Sequence, residues 1–355
     1  MSIILTILIF GVVVLVHEAG HLLMAKKNGV YVEEFAIGMG PLLLKKQGKE
    51  TLYTLRALPI GGFCKMVGED EEVDEEILYT IGKNRAFTDK TVWQRIQIIV
   101  GGALFNFIFA ILVFVVIFGV SGITTAKIGG IAENYPAQKA GMMEGDEILS
   151  INNSKVSTYF DVIGIIENIE DPNVNVAYSR NGEKISTDMV LQEEENGDYK
   201  MGVQFNGEKG FLSREGTAGF IETVKYTVDY IKFYVKYTLM AIGDLITGQT
   251  GLEQLSGPIG IATAVEQVYT EAVQYNVQLV VLNLFNFMAT ISLALGVFNM
   301  LPFPALDGGR FIFLIIEGIS GKAVPQRFET AIHVVGFSFL MLLGIVVAFN
   351  DILKL

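Results

Sequence analysis

Two histidines and a glutamate lie inside the first long apolar stretch of the chain. His17 and His21 are four residues apart and Glu18 follows the first histidine, which gives the pattern H-E-x-x-H. On an α-helix this spacing places both imidazoles on one face, about 6 Å apart along the axis. Such a pair can hold one Zn²⁺ while the glutamate reaches water beside the metal. The pattern therefore predicts a catalytic zinc site with Glu18 as the general base.

The apolar surroundings favour this interpretation over two histidines that merely satisfy each other in a core. Residues 3–25 carry no charged side chain except Glu18, and two of the three histidines of the chain fall in the pattern. Ionisable groups inside a membrane are costly unless they have a partner or a function. We therefore interpret His17 and His21 as metal ligands.

Asp307 is the predicted third ligand, since a catalytic zinc ion usually has three protein ligands and one open position. It lies in the stretch NMLPFPALDGGRF, where two prolines interrupt an apolar run and two glycines follow the aspartate. Irregular backbone at membrane depth is tolerated only where it is buried or lines a wet cavity. The alternative is a Pro/Gly loop that only ends a helix. His333 stands alone near the start of the last apolar stretch, so we expect it to be satisfied by neighbouring groups or to line an interface.

Composition indicates the kind of protein that positions these residues. Hydrophobic residues make up 51% of the chain, yet acidic residues outnumber basic ones by 38 to 26. This balance indicates a membrane protein with a water-facing acidic part and argues against a nucleic-acid partner. Cys64 is the single cysteine, so the chain has no intramolecular disulfide and no Cys-rich metal site. Any metal must be bound by histidines and carboxylates.

Four apolar segments are long enough to span a bilayer, for which about 20 residues are needed. The first lacks a basic n-region and an A-x-A cleavage site, so we interpret it as a retained helix rather than a signal peptide. The segments are residues 3–25, 96–126, 272–306 and 331–349.

Basic residues set the predicted orientation. They are frequent between residues 26 and 65 and in the short connection before the fourth span, and none precedes the first span. By the positive-inside rule both termini and the region of about 127–271 lie outside the cytoplasm. The acidic run at 69–76 then lies in the cytoplasm, where we expect a solvated loop.

Several motifs together resemble the site-2 protease family of intramembrane zinc metalloproteases, in particular its bacterial four-span branch with one inserted PDZ domain. The similarity rests on HEAGH and NMLPFPALDGG, and on four further stretches. These are FAIGMGP at 35–41, LPIGGFCKMVGE at 58–69, GGALFNF at 101–107 and SGPIGIA at 256–262. One departure is Ala103, which stands where relatives usually have proline.

The resemblance implies zinc binding by His17, His21 and Asp307, with Glu18 as the base. It also implies that Asn299 contacts substrate. Asn106 is retained from the second-span motif, where a role in positioning substrate and a helix-packing hydrogen bond are both open.

The implied architecture is a polytopic α-helical membrane protein with about four transmembrane helices. A membrane-reentrant β-hairpin lies on its cytoplasmic side, and an α+β PDZ domain is inserted outside. An amphipathic helix at 216–247 is predicted either on the outer membrane surface or against the PDZ domain. The expected boundaries are 1–25 for the first transmembrane helix, 26–94 for the cytoplasmic loop with the hairpin, 95–123 for the second helix, 124–206 for the PDZ domain, 207–271 for a linker with the amphipathic helix, 272–310 for the third segment with the LDG motif, and 311–355 for the connection and the fourth helix.

The expected function is zinc-dependent cleavage of transmembrane segments in the plasma membrane of a bacterium. The family implies two substrate classes, membrane-held regulators resembling anti-sigma factors and leftover signal peptides, both first trimmed by another protease. The PDZ domain either excludes bulky substrates or binds an extended peptide at a sheet edge. The alternatives are a membrane-bound PDZ scaffold or chaperone, which needs no HEAGH, and a zinc transporter, which needs no adjacent base.

Overall fold

The computed structural model describes residues 2–69, 81–194, 197–213, 216–248, 251 and 255–354. The chain divides into two compact units, one formed by Met1–Val113 with Thr238–Leu355 and the other by Phe114–Tyr237. The first unit carries most of the long helices and a small sheet, and the second carries a larger sheet with shorter helices. Glu69 is the only residue of the predicted acidic run within the described part, so the prediction for residues 70–76 lies outside it.

The helices follow the apolar stretches of the sequence. Lys26 and Lys27 close the first helix, and Gly29, with φ +69°, turns the chain after it. The longer helices are α1 (Ser2–Lys27), α2 (Val92–Ser121), α5 (Phe220–Thr247), α6 (Pro258–Val273), α7 (Val277–Asn299), α8 (Asp307–Ser320) and α9 (Gln326–Leu353). Two short helices, α3 (Pro136–Lys139) and α4 (Tyr159–Ile166), lie among the strands of the second unit.

Among the described residues, four helices are long and apolar enough to cross a membrane. They are Ile4–Lys27 of α1, Val92–Ser121, Val277–Asn299 and Arg327–Leu353 of α9. The prediction of a polytopic helical membrane protein with about four spans is thereby confirmed.

Two helices lie where the sequence indicated a linker and a plain connection. Pro258 starts α6 at its first turn, a position that proline favours because its missing N–H is not needed there. Asp307 starts α8 directly after the proline-interrupted loop, and Gly321 ends it in the left-handed conformation, with φ +68°. The connection between the third and fourth spans is therefore largely helical.

Helices α1 and α2 approach each other through glycines. A Cβ on Gly20 would lie 2.2 Å from the Gly101 carbonyl oxygen, and one on Gly101 would lie 2.9 Å from the Gly20 carbonyl oxygen. Small residues permit this backbone contact, which drives helix association in membranes where apolar burial does not. Gly20, the fourth residue of HEAGH, thus brings α2 against the histidine pair.

The predicted hairpin consists of β1 (Val32–Gln47) and β2 (Leu52–Met66), and both strands bend. Residues 34–37 pair with residues 52–55 on one side and with residues 62–65 on the other, while residues 42–47 pair with residues 52–56. Gly38, Gly40 and Gly61, each with a φ of 80° or 81°, lie at the bends. Two strands thereby form four paired segments, with residues 62–66 along one outer side.

The second unit contains a mixed set of short elements around one sheet. Its strands run in the order β10 (Val203–Glu208), β3 (Ile123–Ile131), β4 (Glu147–Ile151), β6 (Asn173–Arg180) and β7 (Glu183–Val190). The short strand β5 (Ser154–Lys155) pairs with β4. Asn181 and Gly182, both at positive φ, form the tight turn between β6 and β7. The elements are β3 (Ile123–Ile131), α3 (Pro136–Lys139), β4 (Glu147–Ile151), β5 (Ser154–Lys155), α4 (Tyr159–Ile166), β6 (Asn173–Arg180), β7 (Glu183–Val190), β8 (Gln192–Glu193), β9 (Tyr199–Lys200) and β10 (Val203–Glu208).

The core of this unit is aliphatic, with Ile128, Ile148, Ile151 and Val176 each at most 1% exposed. The first half of α5 packs onto the same unit, because the ring of Phe160 lies 5.0–5.5 Å from the rings of Tyr226, Tyr230 and Phe233. Of the two placements predicted for the amphipathic helix, this half follows the one against the inserted domain. We call residues 123–208 the PDZ-like unit.

Candidate active site

The structure brings the two motif histidines together on the buried face of α1. His17 and His21 are each 7% exposed, and their Nε2 atoms are 3.2 Å apart. Their rings meet edge to face, with centroids 4.8 Å apart. Both Nε2 atoms therefore converge on one point, as the H-E-x-x-H spacing predicts.

Asp307 completes a triangle of ligand atoms. Its Oδ2 lies 3.2 Å from Nε2 of His17 and 3.3 Å from Nε2 of His21. The aspartate is the first residue of α8, where the chain leaves the loop of residues 300–306. Its two following glycines are needed for this path, since a Cβ on Gly308 would lie 2.1 Å from the Leu301 carbonyl oxygen and one on Gly309 2.5 Å from that of Phe303.

The three ligand atoms fit a zinc ion. Zinc binds histidine nitrogen and carboxylate oxygen at about 2.0–2.1 Å in tetrahedral geometry, which separates neighbouring ligand atoms by about 3.3 Å. The observed separations are 3.2 Å, 3.2 Å and 3.3 Å. Within the described residues, His17, His21 and Asp307 are the group of His, Cys, Asp or Glu side chains whose ligand atoms cluster closely enough to hold a metal ion.

Gly102 of α2 keeps the space beside the histidines clear. A Cβ built on it would lie 2.3 Å from Nε2 of His21 and 2.6 Å from Cε1 of His17. Any larger residue would therefore occupy the space into which both imidazoles point. The glycine pair of the GGALFNF stretch thus serves two purposes, because Gly101 contacts the α1 backbone and Gly102 faces the ligands.

His21 is oriented by its second nitrogen. Its Nδ1 lies 3.0 Å from the Ile98 carbonyl oxygen, to which a protonated Nδ1 donates a hydrogen bond. A proton on Nδ1 leaves the Nε2 lone pair free for a metal, which is the usual arrangement of metal-binding histidines.

Asn106 orients the ring of His17 through the Nδ1 atom of that histidine. Its side-chain Nδ2 is 3.1 Å from His17 Nδ1, and the residue is 0% exposed. A 180° rotation of the Asn106 side-chain amide interchanges its oxygen and nitrogen. If His17 binds metal through Nε2, its proton is on Nδ1, and the amide oxygen must then face Nδ1–H. The hydroxyl of Ser292 lies 3.2 Å from the Asn106 carbonyl oxygen and 3.3 Å from Oδ1, so it can bond the amide in either orientation. Complete burial favours this orienting role over contact with substrate.

Glu18 lies beside the ligand triangle and next to the outer segment of the small sheet. The Cys64 backbone N–H donates a hydrogen bond to its carboxylate. A Cβ on Gly62 would lie 3.4 Å from Cγ of Glu18. The glutamate therefore sits between the histidines and residues 62–66 of β2.

The remaining sequence candidates have different surroundings. Asn299 is the last residue of α7 and is half-buried, eight positions before Asp307. His333 lies on α9, where its Nδ1 accepts a hydrogen bond from the Ala305 backbone N–H at 2.9 Å. It is thus satisfied by a neighbouring group, as expected, and is not one of the clustered ligands.

Three groups of the site were not predicted: the Ile98 carbonyl, Ser292 and the ligand-facing role of Gly102. A backbone carbonyl and a lone serine in an apolar helix carry no sequence signal. The glycine pair at residues 101–102 was visible, and two adjacent glycines in a spanning helix point to a close helix contact.

A zinc-type ligand triangle with an adjacent glutamate, whose two histidines lie on a helix that is suited to span a membrane, defines a metallopeptidase of the membrane-embedded class. The chain belongs to peptidase family M50, whose family model matches residues 5–343. It is therefore an enzyme, a zinc-dependent metalloendopeptidase, and a multi-pass membrane protein.

Relatives match over nearly their full length. The regulator of sigma-W protease RasP of Bacillus subtilis is 32% identical, with 100% of this chain and 99% of that protein covered. The zinc metalloprotease RasP of Geobacillus kaustophilus is also 32% identical, with 99% and 98% covered. A Clostridium acetobutylicum protein named as a zinc metalloprotease is 35% identical, with 99% and 97% covered. Among solved structures, the PDZ domain of an SdrC-like protein from Listeria monocytogenes aligns with 24% of this chain and 87% of its own length, at 17% identity and a TM-score of 0.21.

Proposed function

We propose that this enzyme cleaves the membrane-spanning segments of other proteins, with His17, His21 and Asp307 as zinc ligands and Glu18 as the general base. The observation that carries the proposal is the triangle of ligand atoms, 3.2–3.3 Å apart, in which both histidines lie on a helix that is suited to span the bilayer. A bound zinc ion supplies Lewis-acid chemistry, since it polarises a carbonyl group and makes water more acidic.

The residues of the chain perform the remaining steps. Glu18 accepts a proton from the attacking water and later gives it to the leaving amine. Ile98 and Asn106 hold the imidazoles of His21 and His17 in the tautomer that leaves each Nε2 free. Asn299, the last residue of α7, holds the substrate backbone in this proposal, and its place eight residues before Asp307 supports that role. A cavity of about 370 Å³ borders Ala305, and its polar lining by Glu69, Arg310 and Glu329 suits it to admit water.

Substrate binding uses the outer segment of the small sheet. A transmembrane helix must unwind before its peptide bonds become accessible, and its freed backbone groups then need partners. Residues 62–66 pair with β1 on one side. Their other side faces Glu18, so an extended substrate that adds to this segment reaches the catalytic residues.

The sheet also has an apolar end that suits contact with lipid. Met39, Leu42, Leu43, Leu44 and Leu58 are each at least 47% exposed. The opposite end, the turn around Lys49, is polar. This division supports a sheet that enters the membrane from the cytoplasmic side with its turn in water.

The substrates are membrane-held regulators or leftover signal peptides that another protease has trimmed. The name of the Bacillus subtilis relative, regulator of sigma-W protease, supports the first class. Both termini and the PDZ-like unit lie outside the cytoplasm, and residues 26–94 lie inside. The distribution of basic residues supports this orientation.

Metal analysis of two variants tests the catalytic assignment. Glu18→Gln retains about one zinc ion per chain and loses cleavage, because the glutamate acts on water and not on the metal. His21→Ala loses both zinc and cleavage. Full proteolysis by the Glu18→Gln protein would reject Glu18 as the base.

Thiol labelling tests the orientation. In a Cys64→Ser background, a cysteine at Asn181 reacts with an impermeant reagent on intact cells, and a cysteine at Lys49 reacts only after the cells are opened. Both positions are exposed turns, so accessibility to water is matched. Labelling of Lys49→Cys on intact cells would reverse the orientation.

A further inference from the structure

One face of α9 contacts the loop that leads to Asp307 at three successive points. His333, Gly336 and Phe339 are spaced three residues apart and therefore share a face of the helix. They meet Ala305, Pro304 and Phe303 in that order. The helix and the loop thus run past each other in opposite directions, in register over three residues.

The contact at His333 is polar and directional. The Ala305 backbone N–H donates to His333 Nδ1 at 2.9 Å. Ala305 has φ +77°, a left-handed conformation that is unfavourable for a residue with a side chain and persists only where the surroundings hold it. His333 is the side chain that holds the backbone of this residue.

The other two contacts set how closely the helix approaches. A Cβ on Gly336 would lie 2.5 Å from Cβ and 2.6 Å from the carbonyl oxygen of Pro304, so the helix backbone rests directly on the proline. The rings of Phe303 and Phe339 are 5.7 Å apart. These two contacts set the distance between helix and loop, whereas the hydrogen bond to His333 also fixes the direction of one peptide plane.

Movement at Ala305 is passed on to Asp307 because the chain between them is tightly wound. The Leu306 N–H donates to the Phe303 carbonyl at 3.2 Å, and the Gly309 N–H donates to the Leu306 carbonyl at 3.0 Å. Gly308 and Gly309 lie against the carbonyl groups of Leu301 and Phe303. A reorientation of the Ala305 peptide therefore also moves the Asp307 carboxylate, because the short segment between them is held by these contacts.

We propose that His333 is a positioning residue for the metal site: its Nδ1 fixes the Ala305 peptide and thereby the place of Asp307 in the ligand triangle. The proposal rests on the function proposed above, in which Asp307 is a zinc ligand. His333 does not touch the reacting atoms, so it acts only through the loop.

Amide side chains provide a sharp test, because an Asn oxygen takes about the place of histidine Nδ1 and a Gln oxygen about that of Nε2. His333→Asn keeps the acceptor for Ala305, while His333→Gln and His333→Leu remove it. Val335→Ala is the control on the same helix, since Val335 is 70% exposed and lies on another face. The full-length proteins are compared in detergent for the rate of zinc loss to a chelator and for hydrogen exchange at the Ala305 amide.

We expect zinc loss about 10- to 100-fold faster in His333→Gln and His333→Leu, the range for partners that orient metal ligands. Exchange at Ala305 rises in the same two variants. His333→Asn and Val335→Ala stay within about twofold of the parent protein. Equal behaviour of the Asn and Gln variants, or unchanged Ala305 exchange in His333→Leu, would overturn the proposal.

The variant Asp307→Ala distinguishes a wrong role for His333 from a wrong assignment of Asp307 as a zinc ligand. If Asp307→Ala loses zinc while all His333 variants keep it, the metal site stands and the role of His333 is rejected. If Asp307→Ala keeps zinc at the parent rate, the ligand assignment itself is wrong, and the positioning role is rejected with it.

Discussion

Around the proposed zinc ligands, backbone lies against backbone, whereas the core of the PDZ-like unit is filled with side chains. Gly20, Gly101 and Gly102 bring α1 and α2 so close that a single Cβ would collide with a carbonyl group or an imidazole. In the PDZ-like unit, residues such as Ile128, Ile148 and Ile151 form an ordinary aliphatic core. The difference follows from the solvent, because lipid is as apolar as leucine and gives helices no hydrophobic reason to associate.

The polar groups of the two regions differ in the same way. His17, His21, Asn106 and Ser292 form one connected set inside the helices, in which Ser292 contacts Asn106, Asn106 contacts His17, and the Nε2 atoms of the two histidines are neighbours. The polar groups of the PDZ-like unit form separate local contacts, among them the ion pair between Asp146 and Arg180. Substitutions near the histidines should therefore affect zinc binding and cleavage, and substitutions in the core of the PDZ-like unit should affect its stability without affecting zinc binding.

The largest effect is expected from Gly102→Val. The new side chain would enter the space in front of both Nε2 atoms, so we expect zinc content to fall below about a tenth of an ion per chain and cleavage to cease. Metal analysis of the purified protein measures this. Gly344→Val is the matched control, because a Cβ on Gly344 meets nothing within 4 Å. A Gly102→Val protein with full zinc content would mean that the ligands lie elsewhere.

A smaller effect is expected from Asn106→Leu, which removes the partner of His17 Nδ1. Zinc affinity should fall about 10- to 100-fold, as for other groups that orient metal-binding histidines. Competition with a chelator measures the affinity, and Asn106→Asp serves as the control because it retains an acceptor for Nδ1–H. An unchanged zinc affinity with a raised KM for substrate would restore the alternative in which Asn106 contacts substrate.

Sequence reasoning singled out the three residues that the structure brings together, His17, His21 and Asp307, because each lies in a local pattern. His17, Glu18 and His21 are set by the helical period, and Asp307 is set by prolines and glycines that break a span. The partners of these residues were out of reach, since Ser292 meets Asn106 across 186 positions and His333 meets Ala305 across 28. Contacts between distant residues depend on how helices cross, and one sequence does not encode that in any local signal.

The fold shows the same limit. The four spans follow from hydropathy alone. The short helices α6 and α8 were not predicted, because each adjoins an apolar span and hydropathy does not distinguish a separate helix from a continued run. The doubled pairing of β1 and β2 was likewise missed, since bends at Gly38 and Gly61 are needed before one hairpin can form four paired segments.

In the PDZ-like unit, Asp146→Asn should lower stability without affecting zinc. Asp146 is 1% exposed and accepts hydrogen bonds from Nε and Nη2 of Arg180, both at 2.8 Å, and from the Met143 N–H. Loss of these charge-assisted bonds should cost about 2–3 kcal/mol in the free energy of unfolding of the unit. Thermal unfolding followed by proteolysis of residues 123–208 measures this cost, and metal analysis of the same sample provides the control. Zinc loss in Asp146→Asn would contradict the separation of the two regions.

The Asp146–Arg180 pair should make the stability of the PDZ-like unit depend on pH, with stability lost at low pH. Burial raises the pKa of the Asp146 carboxyl, but its hydrogen bonds from Arg180 and the Met143 N–H outweigh this and hold the pKa below its usual value. The contribution to stability is therefore complete above the unfolded pKa of about 3.9 and is lost as the pH falls through the lower folded value. Acid unfolding of the unit should be steeper in the parent protein than in Asp146→Asn.

The smallest effect on catalysis is expected from removing the PDZ-like unit. Thr124 pairs with Gly207, so residues 125–206 can be replaced by a short Gly/Ser turn between chain ends that are already neighbours. If the unit excludes bulky substrates, cleavage of an already shortened substrate should stay within about twofold of the parent rate, because the proposed zinc ligands and base all lie outside the deleted segment. An untrimmed precursor should then become a substrate.

If the unit instead recruits peptide at its sheet edge, the deletion should weaken cleavage of the shortened form and leave the precursor uncut. Exclusion is the expected outcome, since a membrane-anchored substrate is already concentrated in the plane of the bilayer and gains little from a second attachment. Zinc content of the deletion protein provides the control, because a loss of metal would show that the cut has disturbed the helices rather than removed a filter.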